Sequence, residues 1–183
     1  FDSFNITTTL YYMRLRSEIS TTDNSFYNRN LAPTERYGIE NNFKYSFMEN
    51  LNIENSFTLT QAKFRGGDRN ENDLPGVPAF VDSLQINYSP LENFSTYFNF
   101  YYQSSSRPLN DFRNYQIVQK GYHTLNVGFS GNFKGYKASL ALNNLQDKIH
   151  YNYAVGSGSG VYHTVSYYPL PGFNTLFKIS KEF

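Results

Sequence analysis

The chain has 183 residues but no cysteine, no tryptophan, two methionines and three histidines. Without cysteine there are no disulfides and no thiolate metal sites; an oxidising compartment is permitted but not required. His123, His150 and His163 form no pair at HExxH or similar spacing, and Asp111, Asp147 and Glu182 are too scattered to act as paired acid and base. The sequence therefore offers no catalytic constellation, no metal site and no cofactor site. Charge of one sign is also missing. Sixteen basic residues against 15 acidic leave +1, so there is no electrostatic case for nucleic acid. Long hydrophobic runs are absent as well. Only 39% of the residues are hydrophobic, and no stretch approaches the ~20 apolar residues of a membrane helix.

What is present is aromatic. Seventeen Tyr and 17 Phe make up the whole of a 19% aromatic share, and so many phenol hydroxyls suit wet interiors and bilayer interfaces better than a dry core. Their placement alternates. Phe94, Thr96, Phe98, Phe100 and Tyr102 interleave with Ser95, Tyr97, Asn99, Tyr101 and Gln103. A strand sends successive side chains to opposite faces, so such a run describes a wall between an apolar and an aqueous medium.

Eight such strands are expected, with apolar positions at Phe4–Tyr12, Tyr37–Phe47, Leu51–Leu59, Phe80–Tyr88, Phe94–Tyr102, Leu125–Phe129, Ala138–Leu142 and Phe173–Phe183. Asp82 and Lys181 fall on the apolar side as exceptions. The connections alternate in length. Long ones cover roughly residues 21–33, 66–78, 107–120 and 151–171, while 48–50, 90–92 and 134–135 are tight. Outer-membrane barrels show this asymmetry, with short periplasmic turns and long extracellular loops. Gly156–Gly160 reads as a solvated loop tip, since no helix follows to make it a phosphate cradle. A soluble sandwich also alternates, but its strands average ~5–6 residues, and its outer face carries Lys and Glu rather than Asn, Ser, Thr and Tyr. The fold class read here is all-β, an antiparallel transmembrane β-barrel.

Four segments go further. Arg36-Tyr37-Gly38-Ile39-Glu40, Leu74-Pro75-Gly76-Val77-Pro78, Asn143-Asn144-Leu145-Gln146-Asp147-Lys148 with Tyr151, and Pro169-Leu170-Pro171-Gly172-Phe173 leading to Phe183 occur in this order. Together they resemble the C-terminal part of TonB-dependent outer-membrane receptors. Gln146, Gly172 and Lys181 depart from the usual Phe, Arg and aromatic residue of that pattern. The resemblance implies that residues 1–183 form the C-terminal barrel segment, the last third of a 22-stranded wall. The plug domain and the segment contacting the TonB complex would precede Phe1, where the chain starts within a strand pattern.

The resemblance also implies transport rather than catalysis, in the outer membrane of a Gram-negative bacterium. The cargo would be a scarce large solute such as a ferric siderophore, taken up as a small-molecule or metal-chelate ligand. Expected partners are the lipid bilayer, the TonB complex and the barrel assembly machinery. Phe173, Phe177, Ile179 and Phe183 match its C-terminal assembly signal, or form an ordinary lipid-facing strand.

Candidate ligand residues lie on the inner wall of the extracellular half: Tyr101, Gln103, Arg107 and Tyr122. Tyr stacks or donates and Arg supplies charge-assisted hydrogen bonds, which suits a bulky anionic chelate. The bland alternative makes the tyrosines interfacial and pairs Arg107 with Asp111 or Asp147. For His150 and His163 a metal or haem role stands against a solvated or interfacial one. The competing reading of the whole chain is a self-contained eight-stranded barrel with a structural or adhesion role, in which strand one would pair with strand eight.

Overall fold

The computed structural model describes residues 3–21, 27–159 and 162–181. Glu182 and Phe183 lie outside the described residues. Among the described residues there are twelve strands: β1 Ser3–Leu15, β2 Ile19–Thr21, β3 Asn28–Asn30, β4 Thr34–Phe47, β5 Leu51–Phe64, β6 Phe80–Leu91, β7 Phe94–Gln103, β8 Tyr122–Phe133, β9 Tyr136–Asn143, β10 Tyr151–Ser159, β11 Tyr162–Pro169 and β12 Asn174–Lys181. The eight read from alternation form one antiparallel sheet in the order β1-β4-β5-β6-β7-β8-β9-β12. The other four make two hairpins inside the long connections, β2–β3 and β10–β11. Among the described residues β1 and β12 are the two ends of the sheet and do not pair, so this wall is open. The pairing required of a self-contained eight-stranded barrel is not seen.

Strand registers carry the alternation across the whole sheet. Phe4 faces Tyr45, Tyr45 faces Ile53, Ile53 faces Ile86, and the row continues through Phe98, Val127 and Leu142. One face of the sheet is thus almost wholly apolar. It is also uncovered: Leu59 and Phe129 sit in interior strands yet remain 45% and 38% exposed. A soluble sheet would bury that face against a second layer; an uncovered apolar face is what a membrane-spanning wall presents. Its polar exceptions are paired side by side. Asn55 Nδ2 donates to Asp82 Oδ1 at 2.7 Å, and Asn41 Nδ2 donates to Thr8 Oγ1 at 2.7 Å.

The opposite face is polar, and it carries one cross-strand ion pair. Lys44 and Glu54 face each other in register at 3.3 Å. Two glycines on this face sit under aromatic rings from the neighbouring strand. Gly128 is directly opposite Tyr97, whose ring occupies the space that a Cβ at 128 would need. Gly38 is opposite Tyr11, whose hydroxyl shares a 2.7 Å hydrogen bond with Thr60 across the strand between them. Cross-strand packing of this kind fixes register as well as stability.

Turn chemistry sets which end of the wall is tight. Lys134 and Gly135 have φ of 50° and 80°, the doubly left-handed backbone of a two-residue turn whose twist matches the strands it joins. At the other end the connections fold into a layer of their own. There lies the buried apolar cluster: Leu31, Ala62, Phe64, Leu74 and Phe112, with Ala32 and Val77 packed on it. The small core among the described residues therefore sits at the long-loop end of the wall, where the last turn of β5 meets the connections.

Two outcomes test this description. Ile86→Arg, on the apolar face, is expected to destabilise by roughly 2–4 kcal/mol, whereas Gln85→Arg on the polar face is tolerated; urea unfolding in lipid vesicles measures both. Gly128→Ala displaces the Tyr97 ring and is expected to lose about 1–3 kcal/mol, read in the same assay.

Candidate functional site

The long-loop end is organised by residues 104–121. This segment leaves β7 and returns to β8 through a self-contained fold. Ser106 and Gln119 bond each other through their backbones at 3.0 and 3.1 Å, closing the loop at its base. Asp111 is buried within it, accepting the Tyr115 N–H at 2.8 Å and the Gln116 N–H at 3.3 Å. A carboxylate whose two oxygens each take a backbone N–H nucleates a turn in the way that Asx geometry favours. The loop is tied outward in two directions. Asn114 donates to the Asp73 carbonyl at 3.0 Å and accepts the Asp73 N–H at 2.8 Å. On its other side Leu109 joins β10: its N–H donates to the Ala154 carbonyl, and its carbonyl accepts the Gly156 N–H, both at 2.7 Å.

Gly156 and the residues through Ser159 are thus strand, not a solvated tip. Gly156 lies against the Gln116 side chain with no room for a Cβ. Gly160 lies outside the described residues. Composition suggests a flexible tract because glycine and serine are read locally, whereas the strand is defined by its partner β11, in which Gly156 pairs with Val165.

Arg107 is held inside this layer. Its Nη1 donates to the Asn114 and Gln116 carbonyls at 3.3 Å, and its guanidinium faces Asp111 at 3.8 Å and Asp73 at 3.9 Å. Asp111 is one of its two expected partners. Asp147 is not: it accepts the Phe173 N–H at 2.9 Å. Arg107 and Gln103 line a cavity of about 330 Å³ together with Gly76, Ser106, Gln119 and Tyr153. Gly76 has φ 73° and would meet Leu109 with any side chain, so the Leu74–Pro78 segment needs glycine there to bring its turn against the 104–121 loop.

Tyr101 and Tyr122 stand beside this cavity rather than in its lining. On the polar face their rings are 5.8 Å apart, and the Tyr101 hydroxyl donates to Gln103 at 3.0 Å. Tyr122 is buried and stacks on His150 at 5.2 Å. Three of the four candidate ligand residues are therefore one contiguous group, and Arg107 shares the cavity lining with Gln103. His150 is neither solvated nor interfacial. It is 7% exposed, and its Nε2 is buried with no hydrogen-bond partner. Burial, with His123 and Lys148 nearby, holds its pKa below the ordinary imidazole value of 6.5. Nothing in its spacing announced this; the signal is the loop that carries it back over Tyr122. The side chain of His163 is outside what the structure describes. Among the described residues no cluster of His, Asp or Glu could hold a metal.

The last two segments of the resemblance meet at this end. Asn144, in left-handed conformation at φ 50°, donates from Nδ2 to the carbonyls of Lys148 and Pro171 at 2.9 and 3.2 Å. Together with the Asp147–Phe173 bond this locks the top of β9 to the start of β12. Phe177 and Ile179 then lie on the apolar face opposite Leu140 and Ala138.

Because the fold keeps His150 neutral, the stability it contributes is full above pH ~6.5 and lost as pH falls through and below that value. Thermal melting between pH 7.5 and 5 is expected to show a falling midpoint that His150→Phe, which keeps the stack on Tyr122, flattens.

No curated protein matches the chain in sequence. A family model described as TonB dependent receptor-like, beta-barrel matches residues 1–145. Solved structures share the fold at low identity. The siderophore receptor PiuA from Acinetobacter baumannii is 17% identical with a TM-score of 0.75, over 96% of this chain and 26% of that one. The ferric yersiniabactin uptake receptor FyuA from Yersinia pestis is 17% identical at TM-score 0.77, over 96% and 27%. The ferric-catecholate import receptor Fiu from K12 E. coli is 16% identical at 0.75, over 98% and 25%. The chain thus spans about a quarter of the length of each of these receptors. The family match covers most of the sequence, and the chain belongs to the TonB-dependent receptors as a portion of their β-barrel.

Proposed function

We propose that this chain is the C-terminal barrel segment of an outer-membrane importer in a Gram-negative bacterium, and that the intact protein takes up a scarce large solute such as a ferric siderophore. The observation that supports this most is the cavity bounded by Gln103, Arg107 and Tyr153. It lies where a polar-faced wall runs into a folded loop layer, the position from which a solute arriving from outside would enter the lumen. Tyr101 and Tyr122 line the path below it.

The remaining parts follow from the same reading. A plug domain N-terminal to this segment would fill the lumen and carry the contact to the TonB complex. Ser95, Ser130, Ser139 and Lys178 share one register row across the polar face near the tight turns, a hydrogen-bonding surface suited to such a plug. Phe173, Phe177, Ile179 and Phe183 would present the terminal strand to the assembly machinery. The segment performs no chemistry on its cargo. Binding in the upper layer, followed by movement of the plug, would open the route.

Uptake of radiolabelled ferric siderophores by iron-starved cells tests the proposal. Deleting the gene is expected to abolish uptake of at least one chelate, and Gln103→Ala with Arg107→Ala in the intact receptor to lower it tenfold or more at unchanged outer-membrane abundance. Unchanged uptake of every ferric chelate after deletion would overturn it.

A further inference from the structure

The cavity of the long-loop layer has one charged side chain in its lining, Arg107. That charge is already engaged. The guanidinium lies 3.9 Å from Asp73 and 3.8 Å from Asp111, so two carboxylates face one cation. Asp73 is fixed in place by its backbone: Asn114 accepts its N–H at 2.8 Å and donates to its carbonyl at 3.0 Å. Its side chain stays 55% exposed. The other cations of the 104–121 loop, Arg113 and Lys120, are exposed and outside the lining. An anion arriving here would meet an exposed carboxylate beside an arginine that already has two. Like charges set against each other reject a partner more effectively than a missing contact does.

The remaining polar groups are amides. Gln103 and Gln119 are 9% and 3% exposed, and each has one arm committed within the chain. Gln103 Oε1 accepts the Tyr101 hydroxyl at 3.0 Å, and Gln119 Nε2 donates to the Tyr151 carbonyl at 2.7 Å. That leaves the Gln103 amide nitrogen as a donor and the Gln119 amide oxygen as an acceptor in one lining. Both are neutral. An amide group in a ligand offers one donor and one acceptor in return. Buried amides of this kind favour a partner that supplies both and penalise one that leaves either unmet. Pro78, Leu109, Ala154 and Tyr153 supply apolar contact around them. The volume of about 330 Å³ suits one arm of a large chelate.

We infer that the solute enters this cavity by an uncharged, amide-bearing arm, and that Asp73 is the specificity-determining residue that turns anionic chelates away. The inference rests on the import reading and narrows its cargo to neutral chelates.

The test sets two ferric chelates against each other on the full-length receptor: an uncharged tris-hydroxamate built on a peptide ring, and a polyanionic tris-catecholate. Equilibrium dialysis with radiolabelled iron measures binding to receptor purified in dodecyl maltoside. Wild type is expected to bind the hydroxamate about tenfold or more tightly than the catecholate, with less than about a twofold change when salt is raised, because no net charge is paired. Asp73→Asn keeps the backbone clasp and removes the carboxylate. It is expected to strengthen catecholate binding about fivefold or more at low salt and to leave the hydroxamate within about twofold, whereas Asp73→Glu keeps the wild-type preference. Tighter binding of the catecholate by wild type, binding of neither chelate, or an Asp73→Asn receptor with unchanged preference would overturn the inference. Should the Asn variant fail to reach the outer membrane, wild-type salt dependence decides alone: catecholate binding that is tight and weakens with salt sinks the idea. Gene deletion separates the two levels. Loss of polyanionic chelate uptake alone upholds import and removes this inference, while loss of no ferric chelate removes both.

Discussion

A peptide N–H or carbonyl left unpaired in hydrocarbon costs several kcal/mol, and every other property of this wall follows from meeting that demand. Across the paired stretches of eight strands the backbone groups are spent on neighbours, so the side chains are free to sort by medium alone. The sheet needs no second layer to hide its apolar face. That is why the buried hydrophobic cluster of Leu31, Phe64, Leu74 and Phe112 is small and lies at the long-loop end of the wall, and why large residues of interior strands remain exposed. The same demand makes the free edges of β1 and β12 unfit for lipid as they stand, and calls for further strands to complete the wall.

Alternation made the wall legible. Because the side-chain period of a strand is two, a register slip of one residue would turn every apolar group inward; a sequence that alternates over ten residues can lie only one way. All eight wall strands, and the length asymmetry of their connections, were read on that basis. Inside the long connections the rule loses its grip. β2, β3, β10 and β11 face neither lipid nor lumen along their length, so no medium imposes a period on them, and Gly156–Ser159 resembled a flexible tract until β11 was placed opposite. Composition reports a residue's preference in isolation; the β10–β11 hairpin is held by its own ladder and tied to the 104–121 loop by the backbone of Leu109.

The segments that carry the family resemblance turn out to hold the wall and its loops together. Gly38 of the Arg36–Glu40 run makes room for Tyr11, Gly76 of the Leu74–Pro78 run lets one loop close on another, and Asn144 and Asp147 clasp the Pro169–Phe173 segment. These are demands of backbone geometry that any barrel of this kind faces, whatever it carries. It follows that the pattern identifies the family while being silent on the cargo.

Recognition must then come from residues with no fixed pattern, and the electrostatics of the upper cavity limit how they act. Arg107 was singled out as a positive charge for an anionic chelate. In the folded layer its guanidinium is already shared between Asp73, Asp111 and two carbonyls. Two carboxylates against one guanidinium leave no surplus positive charge there. Asp111 is itself held by two backbone N–H groups and is not displaced without unfolding the loop, whereas Asp73, at the exposed rim, is the partner a ligand could replace. On the proposed reading, long-range attraction of an anion would be weak here, and discrimination would fall to the shape of the cavity and to Gln103, Gln119 and Tyr153 in its lining. An Arg engaged in this way acts as a strut that shapes the cavity.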